Sequence, residues 1–508
     1  MTATMAPVTI GHPSDRYWLR HYPTNCHVQV NTKVRLSDFE PPEITRPEDM
    51  RLLRRLGVEL EDVVVTELSS TIKGGGVAMI NMVQEPLANE VGPNWRWRVI
   101  IGDEAFFAIT KMIHNESQMV RGGGLLTKAM KDYYWEITRQ NALRLRDELM
   151  SSDLVIIHDP QVAGIIWFLR QWGYKGKLAY RNHIQTHGKE MCTPGTLQEV
   201  IWRFLRDECL VSTVDAYIAH PVPGFVPTDM PAEKVWFIPA TYTKIDDLNR
   251  PITRKESEAG FAFINAQLAE NEGQSPIDRS KPYILDFARF DWAKGFDLAM
   301  EHYARTRALS IKKGVPQEEI PDLVILGNGS LDDGDYKVVL PYMMDLRRTK
   351  YTAIMEHIKI ARVPHNDLAV NAVMRGAWLY WQTSTMEGLE TRVSDAIDKG
   401  ITAIGTTGTG IPTQILVGLS GFVFAPDAHD EWAACTVDLL TDKAKYKKLR
   451  RTTRKAAKTH NYDFSTIPGL ISWLYLTYLL VNDRMPAGNL QWLLHAARED
   501  VELMDLAA

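Results

Sequence analysis

The sequence predicts an α/β protein built from two Rossmann-like, doubly wound domains. Three observations carry that prediction. Short apolar runs alternate along most of the chain with longer stretches of helical periodicity, the pattern of parallel strands covered by helices. The runs fall into two sets of about six, each enough for one doubly wound sheet. The 508 residues also exceed what one compact core holds, so two large domains are the default.

Taken in order, the first set predicts strands at 62–67, 98–101, 154–158, 177–180, 216–220 and 235–239. The second predicts strands at 283–287, 323–327, 358–363, 378–382, 402–405 and 422–424. Between the sets, the polar, proline-containing stretch 240–255 (ATYTKIDDLNRPITRK) reads as the join. This gives an N-terminal domain of 1–245 and a C-terminal domain of 246–464. From Arg392 the pattern is helical until Gly400 stops it. The run 443–458 (KAKYKKLRRTTRKAAK) reads as a solvated helix face. The apolar segment 470–481 holds Ser472 and Thr477 and is too short to span a bilayer, so it reads as a buried helix.

Composition narrows the function classes. At 45% hydrophobic and 24% charged the chain is an ordinary globular sequence. A net charge of −5 argues against a dedicated nucleic-acid surface. Cys26, Cys192, Cys209 and Cys435 show neither CxxC pairing nor metal-ligand spacing, which suits free thiols in a reducing compartment. No secretory signal is read at the N-terminus. The expectation is a cytoplasmic protein with neither membrane nor nucleic acid as a partner.

The chemistry-bearing residues cluster where strands end. Arg289 and Lys294 follow the run 283–287 (ARFDWAK at 288–294), and paired cations there suit a phosphate or pyrophosphate leaving group. The segment 385–395, TMEGLETRVSD, places Glu387 in a polar loop with Gly388 and Leu389, and Asp395 two turns into the helix that follows. Both carboxylates can then face one ligand; alternatively Asp395 pairs with Lys399 on the surface. A glycine-rich turn, 74–76, precedes a helical pattern, and Gly75 and Gly76 can bring backbone amides close to an anion or simply form a tight turn. Asn328 lies in a Gly-Asn-Gly-Ser turn after 323–327, and the loop 405–412 (GTTGTGIP) offers amides before a helix start.

In the first half, Asp159 and Gln161 close the strand 154–158, and Arg181 and His183 close the next. A strand-end aspartate and histidine in one sheet suit a sugar hydroxyl and the charge developing beside it. His183 and His187 at helical spacing lack the acidic partner that a metal site would want. No metal and no other cofactor is expected.

Taken together, these blocks resemble the trehalose phosphorylase and trehalose synthase branch of glycosyltransferase family 4, especially the fungal retaining enzymes. The resemblance runs from about 66 to 480 through KGGGVAMI, FFAITKMIHNESQ, IHDPQ, YRNHIQ, IPATYTKIDDLNRP, ARFDWAKGFD, LGNGSLDDGD, STMEGLETRVSDAIDKG, GTGIPTQ and SWLYL. It implies a GT-B architecture, two Rossmann-like domains facing across a cleft, with C-terminal helices of 465–508 crossing back onto the first domain. It implies that Arg289 and Lys294 hold the leaving phosphate and that Glu387 meets the donor sugar's hydroxyls as the first member of the family's E-x7-E. Asp159, with His183, would lie where acceptor and transferred glucose meet. Gly75 and Gly76 would close over the leaving group.

Two departures stand out: Asp395 replaces the second glutamate, and Glu-Gly-Leu-Glu replaces Glu-Gly-Phe followed by Gly or Glu. The chain is also shorter than typical fungal members. The expected partners are small sugars with phosphate or a nucleoside diphosphate, and a homodimer stays open. The expected activity is retaining α-glucosyl transfer in trehalose metabolism. Its alternatives are a nucleotide-sugar-dependent transferase with another acceptor, and a silent sugar-binding protein.

Overall fold

A computed structural model describes residues 7–10, 17–72, 76–328, 334–485, 490–500 and 503. The chain forms two compact units, Met1–Thr243 with Asp463–Ala508, and Lys244–Ser330 with Gly334–Tyr462.

In the first unit, β1 (Val8–Ile10), β2 (Tyr17–Tyr22) and β3 (His27–Thr32) precede β4 (Val64–Ser69), β5 (Asn94–Val99), β6 (Leu154–His158), β7 (Lys177–Arg181), β8 (Ala216–Ala219) and β9 (Val235–Phe237). The parallel part runs β5-β4-β6-β7-β8-β9, with Gln491–Trp492 added in parallel beyond β9. Its central strands are buried on both faces, which is why they read as continuous apolar runs. The antiparallel ribbon β1-β2-β3 extends the sheet beyond β5 and was not expected. HVQVNT of β3 alternates polar with apolar residues, and in β2 exposed Arg20 stands between buried Leu19 and His21, as in strands with one wet face. Strand β4 starts two residues later than the apolar run suggests and carries Glu67 and Ser69 inside it, both buried. The helix Thr466–Val481, apolar all round, is buried along nearly its whole length and packs on the helix Pro47–Glu59 of the same unit.

The second unit is a six-stranded parallel sheet of β10 (Tyr283–Arg289), β11 (Asp322–Asn328), β12 (Ile358–Arg362), β13 (Leu379–Gln382), β14 (Thr402–Thr406) and β15 (Gly421–Phe424). The order is β12-β11-β10-β13-β14-β15, the dinucleotide-fold winding in which the chain reverses direction between the first and fourth strands. That reversal leaves a crevice outside the carboxyl ends of β10 and β13, ready-made for a ligand. In the first unit the corresponding reversal falls between β4 and β6. The fold thus nominates two places, and both sets of expected residues occur at them.

Candidate active site

At the reversal of the second unit, Arg289 ends β10 and Lys294 sits in a 3-10 turn, Trp292–Lys294, capped by the Asp291 side chain. Gly295 then takes a left-handed conformation, φ 63°, and a Cβ there would overlap the carbonyl oxygen of Thr383. This close approach staples the turn to the loop after β13. Thr383 Oγ1 donates to the Lys294 carbonyl at 3.1 Å, and the Thr385 amide donates to Ala293 at 2.8 Å. The stapling brings Lys294 Nζ onto Glu387 and, at 2.8 Å, onto Glu390. The loop after β14 closes the other side: Gly410 donates its amide to Glu387 O at 2.8 Å, and a Cβ on Gly410 would overlap Gly388 O. Gly388 and Leu389 are both buried there. Asn328 pairs in register with Arg289 and accepts the Phe290 amide at 3.0 Å, so it too belongs to this end of the sheet.

The electrostatics follow from burial and from one cation serving two carboxylates. Burial works against the charge of Lys294, but Glu387 and Glu390 outweigh it and hold the ammonium above the ordinary lysine range. Burial lifts Glu387 above the usual carboxyl range, Lys294 opposes the lift, and Glu390 adds to it. For Glu390 burial is overcome by Lys294 and Arg392, and the net direction is down. Beneath them Asp286, fully buried, is pushed up to about 8, chiefly by burial; its Oδ2 accepts from Thr383 Oγ1. Arg289 keeps 29% of its side chain exposed and lies 3.9 Å from Asp291. It is the more accessible of the two cations.

Asp395 does not join this cluster. Its side chain is 1% exposed and accepts from Asn249 Nδ2 at 2.8 Å and Arg392 at 2.6 Å. The reason is helical phase: on the helix Thr391–Asp398 it shares the inward face with Val393, Ser394, Ala396 and Ile397. Nor is it a surface partner of Lys399, which reaches the Asp395 carbonyl and the Asn249 side chain instead. Glu390, which the sequence reading did not single out, occupies the second carboxylate position at Lys294. The loop 405–412 leads into only a three-residue 3-10 turn, Ile411–Thr413, not a long helix.

In the first unit, the residues after β6 and β7 meet. Asp159 adopts φ 64°, and its Oδ1 accepts the His183 amide at 2.7 Å. Arg181 is buried; burial pulls its guanidinium down, to about 9, against the Asp159 charge. It donates to His220 Nδ1 at 3.2 Å, and His220 Nε2 then donates to His183 O at 3.0 Å. Gln161 is half-buried, and its Oε1 has no hydrogen-bond partner among the described residues, leaving an acceptor at this end of the sheet. Gly76 opens the helix Gly76–Val91 and is exposed, with open space where a Cβ would be. Gly75 lies outside the described residues, as does the end of the turn after Asn328.

Three side chains here escaped sequence reasoning as site members: Glu67, His158 and His220. His158 Nδ1 lies 2.7 Å from His183 Nε2, and His158 Nε2 lies 2.7 Å from Glu67 Oε1. A glutamate buried within the strand VVTELS is the signal that marks the group. Among the described residues no group of three or more His, Cys, Asp or Glu could hold a metal ion. No helix among them is long and apolar enough to cross a membrane.

Comparison with known proteins matches the two sheets in turn. Residues 67–227 match the family model for the trehalose synthase N-terminal domain, and residues 269–459 that for glycosyl transferases group 1. Trehalose phosphorylase of Grifola frondosa is 31% identical over 424 residues, covering 82% of this chain and 57% of that one. That of Pleurotus pulmonarius is 30% identical over 458 residues, covering 88% and 61%. Trehalose synthase of Thermococcus litoralis is 29% identical over 396 residues, covering 78% and 86%. The chain therefore spans only 57–62% of the length of the fungal relatives it matches. Among solved structures, an E. coli trehalose-6-phosphate protein bound with UDP-2-fluoro glucose aligns with TM-score 0.61 at 12% identity, covering 81% of this chain and 98% of that one. Sucrose-phosphate synthase from Thermosynechococcus elongatus aligns at 0.58 and 12%, covering 82% and 99%. At that identity the likeness establishes the fold, which is GT-B.

Proposed function

We propose, from the premise that the chain belongs to the trehalose phosphorylase and trehalose synthase branch of the glycosyl transferases, that it catalyses retaining α-glucosyl transfer in trehalose metabolism. In its phosphorolytic form, trehalose and phosphate give α-glucose 1-phosphate and glucose. The observation that carries this reading is the Arg289–Lys294 pair at the fold's crevice, with Glu387 and Glu390 bound to the lysine.

The carboxylates hold Lys294 in place and charged, and an incoming phosphate adds its oxygens to the same ammonium and to Arg289. In the reaction the C1–O bond to the departing glucose breaks, and a C1–O bond to phosphate forms on the same face. The departing glucose oxygen takes the proton that phosphate brings, so no base is consumed. We favour this front-face route over the two-carboxylate scheme of retaining hydrolases. Rate then comes from positioning and from cations aimed at the phosphate charge. Glu387 takes the donor sugar's hydroxyls, and Asn328 with Gly388 and Leu389 shapes that side. Asp159, Gln161 and Arg181 serve the acceptor side with His183 at the reacting sugar.

Asp395 is already occupied by Arg392 and Asn249. That supports phosphate over a nucleoside diphosphate, whose ribose the second carboxylate of the family's motif would meet. No metal has a role in this scheme, so turnover is expected to survive a chelator.

The test is purified protein given trehalose and phosphate, followed for α-glucose 1-phosphate and glucose. Product is the expected result. Turnover seen only with a nucleotide sugar and glucose would overturn the leaving group. Trehalose binding without turnover under either condition would make the chain a sugar-binding protein.

A further inference from the structure

Behind His183 stands a second pair of buried polar groups, Glu67 and His158. Trp95 Nε1 donates to Glu67 Oε2 at 2.7 Å; an indole nitrogen only donates, so this oxygen accepts. The other oxygen, Oε1, lies 2.7 Å from His158 Nε2, and neither atom has any other hydrogen-bond partner. A carboxylate oxygen this close to an imidazole nitrogen calls for one hydrogen between them, which is placed on His158 Nε2. One proton then remains for the 2.7 Å contact between His158 Nδ1 and His183 Nε2.

The two rings have centroids 4.9 Å apart and planes within 16°. That separation is what two imidazoles joined nitrogen to nitrogen in one line require, so the rings meet edge to edge in a common plane. The proton between them is well aligned.

The surroundings decide where it sits. His183 faces Arg181 and His220 on β7 and the residue after β8, Asp159 after β6, and His158 backed by Glu67. Arg181 can only donate, so His220 Nδ1 accepts and its Nε2–H goes to the His183 carbonyl. His220 is therefore neutral. Burial above all, then Arg181, His158 and His220, holds His183 well below the ordinary imidazole range. With the hydrogen of the contact placed on His183, that ring carries it on Nε2, donated to His158 Nδ1. The Nδ1 of His183 is a bare acceptor without a hydrogen-bond partner among the described residues.

We propose that Glu67 and His158 are positioning residues that lock His183 in the Nε2–H form and so present Nδ1 as an acceptor for a sugar hydroxyl. The sugar rests on the function proposed above; the proton assignment does not. A deep pair of this kind costs burial of two polar side chains, and what it supplies is the choice between acceptor and donor at the exposed nitrogen of a third.

Glu67→Gln makes the proposal falsifiable, because Trp95 claims the amide oxygen and the amide nitrogen must face His158. His158 Nε2 would then have to accept, its proton would move to Nδ1, and His183 would carry its hydrogen on Nδ1. Both tautomers invert.

The measurement is nitrogen–proton correlation of the histidines in the full chain labelled with 15N, first without any sugar. Wild type is expected to show His158 and His183 each protonated on Nε2 alone, with the bare His183 Nδ1 shifting when trehalose is added. Glu67→Gln is expected to move both protons to Nδ1 and to lower kcat/KM for trehalose about tenfold or more. A wild-type His183 protonated on Nδ1, or on both nitrogens, overturns the lock, and that spectrum decides even if the variant does not fold. Unchanged tautomers in Glu67→Gln overturn it too. The expected tautomers with no response to trehalose leave the lock standing and overturn only the sugar.

Discussion

The crevices of the two units hold polar groups in opposite ways. In the second, one ammonium is shared by two carboxylates. In the first, Glu67 is followed by two imidazoles joined through one proton, and the nearby Arg181 works against charge on His183. The first arrangement tolerates small shifts, because an ion pair is strong over a range of geometry. The second is a matter of which atom bears a hydrogen, so it fails all at once. One unit is tuned by charge and the other by tautomer.

That contrast is most easily broken at the cations. Lys294→Ala and Arg289→Ala are each expected to lower kcat by about 100- to 1,000-fold, the cost of removing one donor aimed at developing charge. They should differ in stability. Lys294→Ala leaves Glu387 and Glu390 buried without their cation and should cost about 3–5 kcal/mol in urea unfolding. Half-exposed Arg289 should cost well under that. Equal stability losses would mean that the carboxylates find another partner.

Next in size is the division between Glu390 and Asp395. Asp395→Ala strands Arg392 and is expected to lose about 3–5 kcal/mol of stability by the same argument, with kcat of the folded fraction nearly intact. Glu390→Gln should do the reverse, lowering kcat several-fold with little change in the unfolding midpoint. If Asp395→Asn, which keeps the shape, selectively weakened binding of a nucleoside diphosphate, the assignment of Asp395 to the fold would be wrong.

A third comparison concerns Asp286 and is read against pH. Its folded carboxyl is raised to about 8, by burial first and by Glu390, while an unfolded aspartate titrates near 3.8. Between those values the folded chain holds a proton that the unfolded chain has released. Stability from this group therefore falls as pH rises from about 4 to about 8 and is level outside that window. Asp286→Asn, which resembles the protonated form, should flatten that part of a plot of urea midpoint against pH. A slope identical to wild type would place the proton elsewhere.

Much of this was legible in the sequence, for physical reasons. Parallel strands buried on both faces must be apolar throughout, so the runs around Leu154, Ile284 and Leu323 announce themselves. The ribbon of β1 to β3 keeps one face wet, and Arg20 and His21 inside β2 break the run. Arg289, Lys294 and Glu387 are visible because paired cations and a carboxylate after a strand are rare by accident. Glu390 was not visible in that role, since it caps the helix Thr391–Asp398 only five positions before Asp395. Only the phase of the helix decides which of the two turns inward to Arg392. Glu67 and His158 were hidden for another reason: they lie on neighbouring strands, and their meaning comes from the pairing of β4 with β6 and the contact between them.

Asp159 carries a last consequence. An aspartate at φ 64° holds its backbone where glycine would rest more easily, at a cost of about 1–2 kcal/mol to a residue with a side chain. Its carboxylate, though, is what tethers the His183 amide. Selection for robustness and selection for turnover therefore pull on this position in opposite directions. Asp159→Gly relieves the backbone but leaves the His183 amide without its acceptor, so it should melt within a few degrees of wild type while losing activity. A lineage drifting away from catalysis would have every reason to make that exchange, so the identity of this one residue is a gauge of whether a member of the family is still at work.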